Sequence, residues 1–284
     1  MAGPTAGFLH GRGTPIAARG WGGRSSGSAW RLFAVCVLAL LLAPPLLGTP
    51  APVGAASWQS TGQLPASYAA ALAALLPDGR VLAVAETNGA LYSFDDNTWS
   101  ATAPLPQNAR GAELIVLSDG RALLTGGAPS TFLRDPFELT RQAQRFDPAK
   151  NSWTKGADMP TGRADHTMTA LPNGKVLVVG GLVGGLSPRQ PTTTVGAVEL
   201  YDPATDSWTP TAPLIQARYG HSATLLADGR VLVAGGAFSK TVNSENAAAE
   251  VVNSAEIYDP ATGKWQAAAP LPATPPPCCS MGRC

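Results

Sequence analysis

The sequence predicts an all-β protein made of a four-stranded antiparallel unit that repeats along the chain, and three observations predict it. Asp-Gly or Asn-Gly dipeptides lie between apolar runs at 78–79, 119–120, 173–174 and 228–229. Diglycines follow the later apolar runs at 126–127, 180–181 and 235–236. A tryptophan closes each unit, and Trp99, Trp153, Trp208 and Trp265 are spaced by 54, 55 and 57 residues. A period near 50 residues, with short strands, is typical of a β-propeller.

Residues 225–265 show the unit most completely. Asp228-Gly229 predicts a tight hairpin in which both residues tolerate a positive φ. The strand after it, 231–234, is apolar on both alternating faces, so we expect each blade's second strand, including 176–179, to be the most buried. The diglycine at 235–236 lets another backbone approach closely. Residues 256–258 begin a second hairpin, whose turn contains Pro260 and a left-handed Gly263.

The composition fits this class and excludes one group of partners. Gly (31) and Pro (26) are abundant and only 14% of residues are charged, which suits short strands joined by turns. The net charge is +1, but residues 1–56 hold four arginines and no acid, so 16 basic and 19 acidic residues remain, a net charge of −3. A body without basic clusters argues against nucleic-acid binding.

The two ends of the chain differ from the repeats. Residues 1–56 are predicted to be a disordered leader with a secretory signal, because arginines precede an apolar core at 32–47 and small residues follow it. The alternative is an uncleaved segment that anchors the protein to a membrane. Residues 273–284 are predicted to be an irregular tail that carries Cys278, Cys279 and Cys284, for which no metal role is expected.

The repeats identify a family resemblance. The diglycines, the Tyr-Asp-Pro turns at 201–203 and 258–260, and the spaced tryptophans resemble those of kelch-repeat proteins, in the bacterial style related to the central propeller of galactose oxidase. The resemblance covers residues 57–272 and implies a kelch-type β-propeller. It implies little about activity, because kelch propellers serve enzymes, adaptors and glycan-binding proteins alike.

The resemblance also implies an incomplete ring. Kelch rings usually have six or seven blades, whereas this sequence shows about four. The first repeat has Ala85-Glu86 in place of the diglycine, and the motif fails after Pro272. Trp58 marks an outer strand that no described repeat needs. We therefore expect an open or incomplete ring, and self-association through its open edges.

Three arginines are the candidate ligand-binding residues. Arg110, Arg163 and Arg218 each precede an innermost strand. One interpretation is structural, with each arginine paired to an acid or a carbonyl of a neighbouring blade. The other is a basic ring at the mouth of the central channel that receives a carboxylate or a sugar, and the two interpretations are compatible.

The repeated histidines are predicted to be structural. His166 and His221 occupy the same place in successive repeats, and a residue that recurs once per blade usually has a packing role. The resemblance implies that a copper site of the galactose oxidase type needs further histidines and tyrosines and a tyrosine cross-linked to cysteine. Only His10 remains, and the repeats contain no cysteine. No catalytic residues, metal site or cofactor are predicted.

The working surface is predicted from strand alternation. The inserts at 128–142, 182–197 and 237–253 should share a face with the blade connections at 100–109, 154–162 and 209–217, and variable loops on a fixed framework are where function usually lies. The predicted function is a secreted or cell-surface module that binds a protein or a glycan. The alternatives are a truncated oxidase of the galactose oxidase type and a non-functional gene fragment.

Overall fold

The computed structural model describes residues 61–64, 72–128, 139–184, 193–239 and 249–272. These residues form twenty β-strands and no helix, so none of them belongs to a helix that could cross a membrane. The predicted leader at 1–56, Trp58 and the cysteine-containing tail at 273–284 lie outside the described residues, as does much of each insert.

Four four-stranded antiparallel sheets follow one another along the chain, and we call them blades 1 to 4. Blade 1 comprises β1 (Leu72–Leu75), β2 (Val81–Ala85), β3 (Asn88–Ser93) and β4 (Thr98–Ala101). Blade 2 comprises β5 (Ala112–Val116), β6 (Ala122–Gly126), β7 (Ala143–Asp147) and β8 (Ser152–Lys155). The predicted all-β class, with four blades, is confirmed.

Blades 3 and 4 each carry a two-stranded ladder within the insert. Blade 3 contains β9 (Thr167–Ala170), β10 (Val176–Val179), the ladder β11 (Leu182–Val183) and β12 (Thr193–Thr194), then β13 (Val198–Asp202) and β14 (Ser207–Thr211). Blade 4 contains β15 (Ser222–Leu225), β16 (Val231–Ala234), the ladder β17 (Ala237–Phe238) and β18 (Glu250–Val251), then β19 (Ala255–Asp259) and β20 (Lys264–Ala268).

The innermost strands set the arrangement of the blades. Strands β1, β5, β9 and β15 contact one another in that order. Among the described residues no comparable contact joins β15 back to β1. The four described blades therefore form an arc with two ends.

The first hairpin of each blade is a three-residue loop. Gly79, Gly120, Gly174 and Gly229 have φ values between 81° and 85°. Leu76 N–H donates to Arg80 O at 2.8 Å and Gly79 N–H donates to Leu76 O at 3.0 Å, which defines a type I turn followed by a left-handed glycine. The expectation that both residues of the dipeptide take a positive φ is wrong for the first one. The Asp78 carboxylate instead accepts a hydrogen bond from Arg80 N–H at 3.0 Å.

The second strand of each blade is well buried, with one informative exception. All four residues of β10 are buried, as expected, and so are all five residues of β6. In β16, however, Leu232 and Ala234 are partly exposed. Their side chains lie on the side of blade 4 where no further blade is described.

Apolar side chains fill the space between neighbouring blades in three clusters. Phe146 of blade 2 packs with Leu82 and Leu91 of blade 1. Tyr201 and Tyr258 do the same at the next two joints. Each blade stacks this aromatic residue on its own tryptophan at 4.8–5.1 Å between ring centroids, which adds about 0.5–1.5 kcal/mol to the burial of each pair. The tryptophan period therefore reports one aromatic pair per blade.

The diglycines lie where the backbones of two blades meet. Gly127 N–H donates to Arg163 O at 2.8 Å, and Gly181 N–H donates to Arg218 O at 2.9 Å. In each case the acceptor belongs to the next blade. A Cβ on Gly180 would lie 2.6 Å from Arg218 O, and Gly180 has a φ of 61°. Glycine is therefore required by contact and by conformation.

We predict that Gly180→Ala destabilises the protein more than Gly220→Ala. The two glycines have nearly equal φ values, 61° and 59°, so both alanines carry a similar left-handed penalty of roughly 1–2 kcal/mol. Only at Gly180 does the new Cβ meet a backbone carbonyl, since nothing lies within 4 Å of a Cβ at Gly220. Urea denaturation should show a lower midpoint for Gly180→Ala. Equal midpoints would contradict the close approach.

Candidate functional site

The described ends of the inserts bond to one another from blade to blade and form a layer along one face of the arc. Leu139 N–H donates to Gly184 O at 3.1 Å, which joins the inserts of blades 2 and 3. Thr194 N–H donates to Ser239 O at 3.1 Å, and Ser239 N–H donates to Thr194 Oγ1 at 2.9 Å, which joins the inserts of blades 3 and 4. We call this surface the insert layer.

The blade connections lie against the same face, as strand alternation predicts. Met159 N–H donates to Arg141 O at 2.8 Å, and Leu214 N–H donates to Gly196 O at 2.8 Å. Leu271 N–H repeats the contact with Asn253 O at 2.7 Å. Each connection is therefore tied to the end of the insert in the blade that it leaves.

A small apolar cluster supports the insert layer. Ala128, Leu139, Ala164 and Leu182 are buried together, and Tyr219 packs against them. Isolated bridges join Ala164 to Leu182 and Tyr219 to Ala237, so the first residues of each ladder are fixed to the start of the innermost strand. The described ends of the inserts thus rest on the framework.

The entrances to β5, β9 and β15 each carry a left-handed residue. Gly111, Asp165 and Gly220 have φ values of 70°, 54° and 59°. Asp165 N–H donates to Gly111 O and Gly220 N–H donates to Asp165 O, both at 3.0 Å. A backbone chain of hydrogen bonds therefore runs from blade 2 to blade 4 beside the axis of the arc.

Arg163 and Arg218 lie directly beneath the insert layer, and their side chains are fully buried. Arg163 donates to the Glu199 carboxylate at 2.7 Å and to the carbonyls of Gly180 and Ala197 at 3.0 and 3.1 Å. Arg218 makes the matching ion pair with Glu256 at 2.8 Å. These contacts correspond to the structural interpretation, and a role in ligand binding stays a prediction.

Two details differ from the expectation for the arginines. The paired acids belong to the same blade as the arginine, whereas a neighbouring blade was expected. Arg110 is also structurally equivalent to Ala164 and Tyr219 rather than to the other two arginines. The carbonyl of each of these three residues accepts a hydrogen bond from the first residues of an insert. Ala109 takes the place of Arg163, and both lie ten residues after the tryptophan of the preceding blade and eleven residues before the hairpin glycine. Arg110 is exposed and lies at the insert face.

Blade 2 changes both members of the buried ion pair. Ala109 replaces the arginine, and the register of β7 places Gln144 where blade 3 has Glu199. Gln144 is 1% exposed. Since a buried charge without its partner is costly, both charges are present in blades 3 and 4 and both are absent in blade 2.

The environment of Glu199 also explains its titration. Burial raises the pKa of Glu199, and the attraction of Arg163 opposes that shift. In blade 4 the Glu256 carboxylate also accepts hydrogen bonds from Ile215 N–H at 2.7 Å and Gln216 N–H at 3.0 Å. The residue equivalent to Ile215 in blade 3 is Pro160, which has no N–H to donate.

His166 and His221 join neighbouring blades. Thr125 of blade 2 hydrogen-bonds His166 Nε2 at 2.9 Å, and Thr167 of blade 3 hydrogen-bonds His221 Nε2 at 2.9 Å. Burial lowers the pKa of His166 well below its ordinary value and lowers the pKa of His221 to about 3, and the nearby arginine of each blade adds to the shift. Both imidazoles are therefore neutral links at physiological pH.

Several of these contacts escaped the sequence analysis. The acids Glu199 and Glu256 recur in the sequences Val-Glu-Leu and Ala-Glu-Ile, one residue into the third strand, and this repetition is a usable signal. The threonine partners of the histidines carry no such signal, since Thr125 lies in a second strand and Thr167 in a first strand. Within the described residues, no three or more His, Cys, Asp or Glu side chains are grouped to hold a metal ion.

The sheets and their radial order define a β-propeller, and comparison with known proteins identifies its repeat. Residues 163–215 and 217–272 match the Kelch motif. The chain is 32% identical over 133 residues to Kelch-like protein 35 of Mus musculus and 35% identical over 134 residues to the F-box/kelch-repeat protein At1g22040 of Arabidopsis thaliana. The chain therefore contains kelch repeats at 163–215 and 217–272.

These similarities cover only part of each protein. The aligned regions cover 47% and 43% of this chain but only 20% and 26% of the two relatives. The solved structure of YjhT superposes with a TM-score of 0.58 at 17% identity, over 75% of this chain and 69% of that one. The structural similarity supports the fold.

We predict that Arg163→Ala destabilises the protein by roughly 3–5 kcal/mol, because it leaves the Glu199 carboxylate buried without its partner. The double variant Arg163→Ala/Glu199→Gln copies blade 2 and should recover at least about 1 kcal/mol of that loss. Chemical denaturation of the wild type, both single variants and the double variant measures the coupling. Additive losses would show that the pair is not coupled.

We also predict that stability falls as the pH decreases from about 6.5 to 5. The folded state lowers the pKa of both histidines, so the unfolded state binds protons first, and the stability present above pH 6.5 is lost towards pH 3. The slope approaches about 1.4 kcal/mol per pH unit for each histidine. Melting temperatures across this range measure it. The variant His166→Gln/His221→Gln should lose the slope, and a retained slope would assign it to other groups.

Proposed function

We propose that this chain is an extracytoplasmic interaction module that binds a protein partner with its insert layer. The observation that carries the proposal is the continuity of that layer: three inserts of different sequence are joined by backbone hydrogen bonds and fixed on one face of a repeated framework. Variable loops on a rigid scaffold are the usual location of binding residues.

The conformation of the framework supports a preformed binding surface. The ladders β11–β12 and β17–β18 hold both ends of two inserts, and Thr194 is 9% exposed where it contacts the next insert. Because the ends of these two inserts are held, binding a partner costs less conformational entropy than it would for inserts with free ends, which favours affinity. The buried arginines and histidines beneath the insert layer belong to the scaffold. The insert residues therefore determine which partner binds.

The location outside the cytoplasm is part of the same proposal. It rests on the arginine-rich start, the apolar core at 32–47 and the small residues that follow. A glycan ligand remains the second class of partner to test, because the insert sequences are rich in small polar residues.

The experiment compares insert variants of the full chain, recovered from the extracytoplasmic fraction of expressing cells, on arrays of extracellular proteins and of glycans. In two variants a Gly-Ser linker of equal length replaces 185–192 or 240–248. In the control the same change is made at 260–262, in a hairpin turn on the opposite face. We expect both insert variants to lose protein binding with an unchanged melting temperature, while the control keeps it.

Three results would overturn the proposal. Binding that survives both replacements would remove the insert layer as the site. Binding to glycans alone would correct the partner class. Absence of the protein from the extracytoplasmic fraction would refute the location.

A further inference from the structure

The end of blade 4 repeats an interface that is occupied elsewhere in the chain. At the two preceding joints, the N–H of the second glycine of the diglycine donates to the next blade. The equivalent donor, Gly236 N–H, has no backbone partner among the described residues. The same backbone geometry, with a φ of 90°, is present in Gly236. Blade 4 therefore has the backbone donor that joins two blades elsewhere, but no acceptor for it lies among the described residues.

The insert layer ends at the same place. In blade 3, Thr194 of β12 is 9% exposed because Ser239 of the next insert covers it. Its equivalent in blade 4 is Val251 of β18, since Val195 N–H and Val252 N–H both donate to the second glycine of their own diglycine. Val251 is 87% exposed. An apolar side chain thus stands at an uncovered strand edge.

Apolar residues surround this edge. Leu271 is 45% exposed, whereas Leu214, at the same place one blade earlier, is 6% exposed. On the adjoining sheet face, Leu232 and Ile257 are partly exposed, whereas Leu177, the equivalent of Leu232, is fully buried against blade 4. The exposed apolar area therefore extends from the insert layer onto the open sheet face.

The other end of the arc does not offer a matching surface. On the outward side of blade 1, Ala83, Ala85, Ala90 and Tyr92 are all at most 8% exposed, and the exposed Leu75 and Phe94 lie at its margins. Blade 1 also lacks a diglycine and an insert, so it has no strand to meet β18. Head-to-tail contact between blade 4 of one copy and blade 1 of another is therefore disfavoured. A contact that uses the same surface on both copies needs no second acceptor.

We propose that the exposed end of blade 4 is a self-association surface, where a second copy of this chain docks and the two β18 strands pair antiparallel about a twofold axis. This goes beyond the proposed function, because it involves neither the inserts' own ligand nor the leader. An uncovered strand edge readily pairs with another. Pairing centred on Val251 brings the two valines opposite each other and places Glu250 opposite Val252 of the second copy, so no like charges face each other.

The test uses the full chain with Cys36, Cys278, Cys279 and Cys284 replaced by serine, so that only an introduced cysteine can react. Directly opposite residues in an antiparallel pair have Cα atoms about 4.5–5.5 Å apart, within the range of a disulfide. We expect Val251→Cys to give a disulfide-linked dimer under mild oxidation. Thr262→Cys, an exposed position in the turn between β19 and β20, is the matched control and should stay monomeric on a non-reducing gel.

Light scattering on the same background gives the equilibrium result. We expect a dimer at about 100 µM, and at least about tenfold weaker association for Val251→Lys and for Leu271→Lys. Both side chains are exposed, so circular dichroism should show unchanged folding for each variant. A monomeric parent, association that neither lysine weakens, or equal cross-linking at positions 251 and 262 would each overturn the proposal.

Discussion

The structure depends on one backbone contact that recurs between blades: the N–H of the second glycine of one blade bonds the carbonyl of the residue that begins the next. In blades 3 and 4 that residue is an arginine, which uses its two ends for different purposes. Its carbonyl holds the preceding blade, while its guanidinium holds the second and third strands of its own blade. In blades 3 and 4 the position and the orientation of the sheet are therefore set by the same residue, and the fully buried guanidinium cannot move without disturbing both.

The polar links between blades act together with apolar burial, which contributes more of the stabilising free energy. Each joint buries an aromatic ring and several aliphatic side chains, and this burial supplies most of the free energy that holds the blades together. Polar contacts then fix how the blades are oriented, since each requires a specific geometry. They are the ion pairs, the threonine–histidine bonds and the glycine contacts. The result is a framework whose register is fixed independently of the insert sequences, so those sequences are free to vary.

Much of the fold was predictable because its signals are local or periodic. The Asp-Gly loops, the diglycines and the spacing of Trp99, Trp153, Trp208 and Trp265 each reflect contacts within one blade or between adjacent blades. The contacts of the candidate site were harder to predict from the sequence. The placement of Arg110 beside Arg163 was wrong by one residue, although the spacing from Trp99 already assigns the equivalent position to Ala109. The Glu199 partner of Arg163 lies 36 residues away, and the Thr125 partner of His166 lies 41 residues away in another blade. Such pairs require the three-dimensional arrangement.

The substitution of the ion pair in blade 2 has a consequence for how these repeats can diverge. A repeat cannot change from the arginine–glutamate form to the alanine–glutamine form in one step, and its two intermediates are unequal. Losing the glutamate first leaves the guanidinium with the carbonyls of Gly180 and Ala197 as acceptors. Losing the arginine first leaves a buried carboxylate without its ion-pair partner, although the backbone N–H groups of Ile215 and Gln216 still donate to Glu256 in blade 4. Either order of change therefore passes through a blade with a buried group that has lost its partner, and duplicated blades of this kind carry a barrier to stepwise divergence within their own cores.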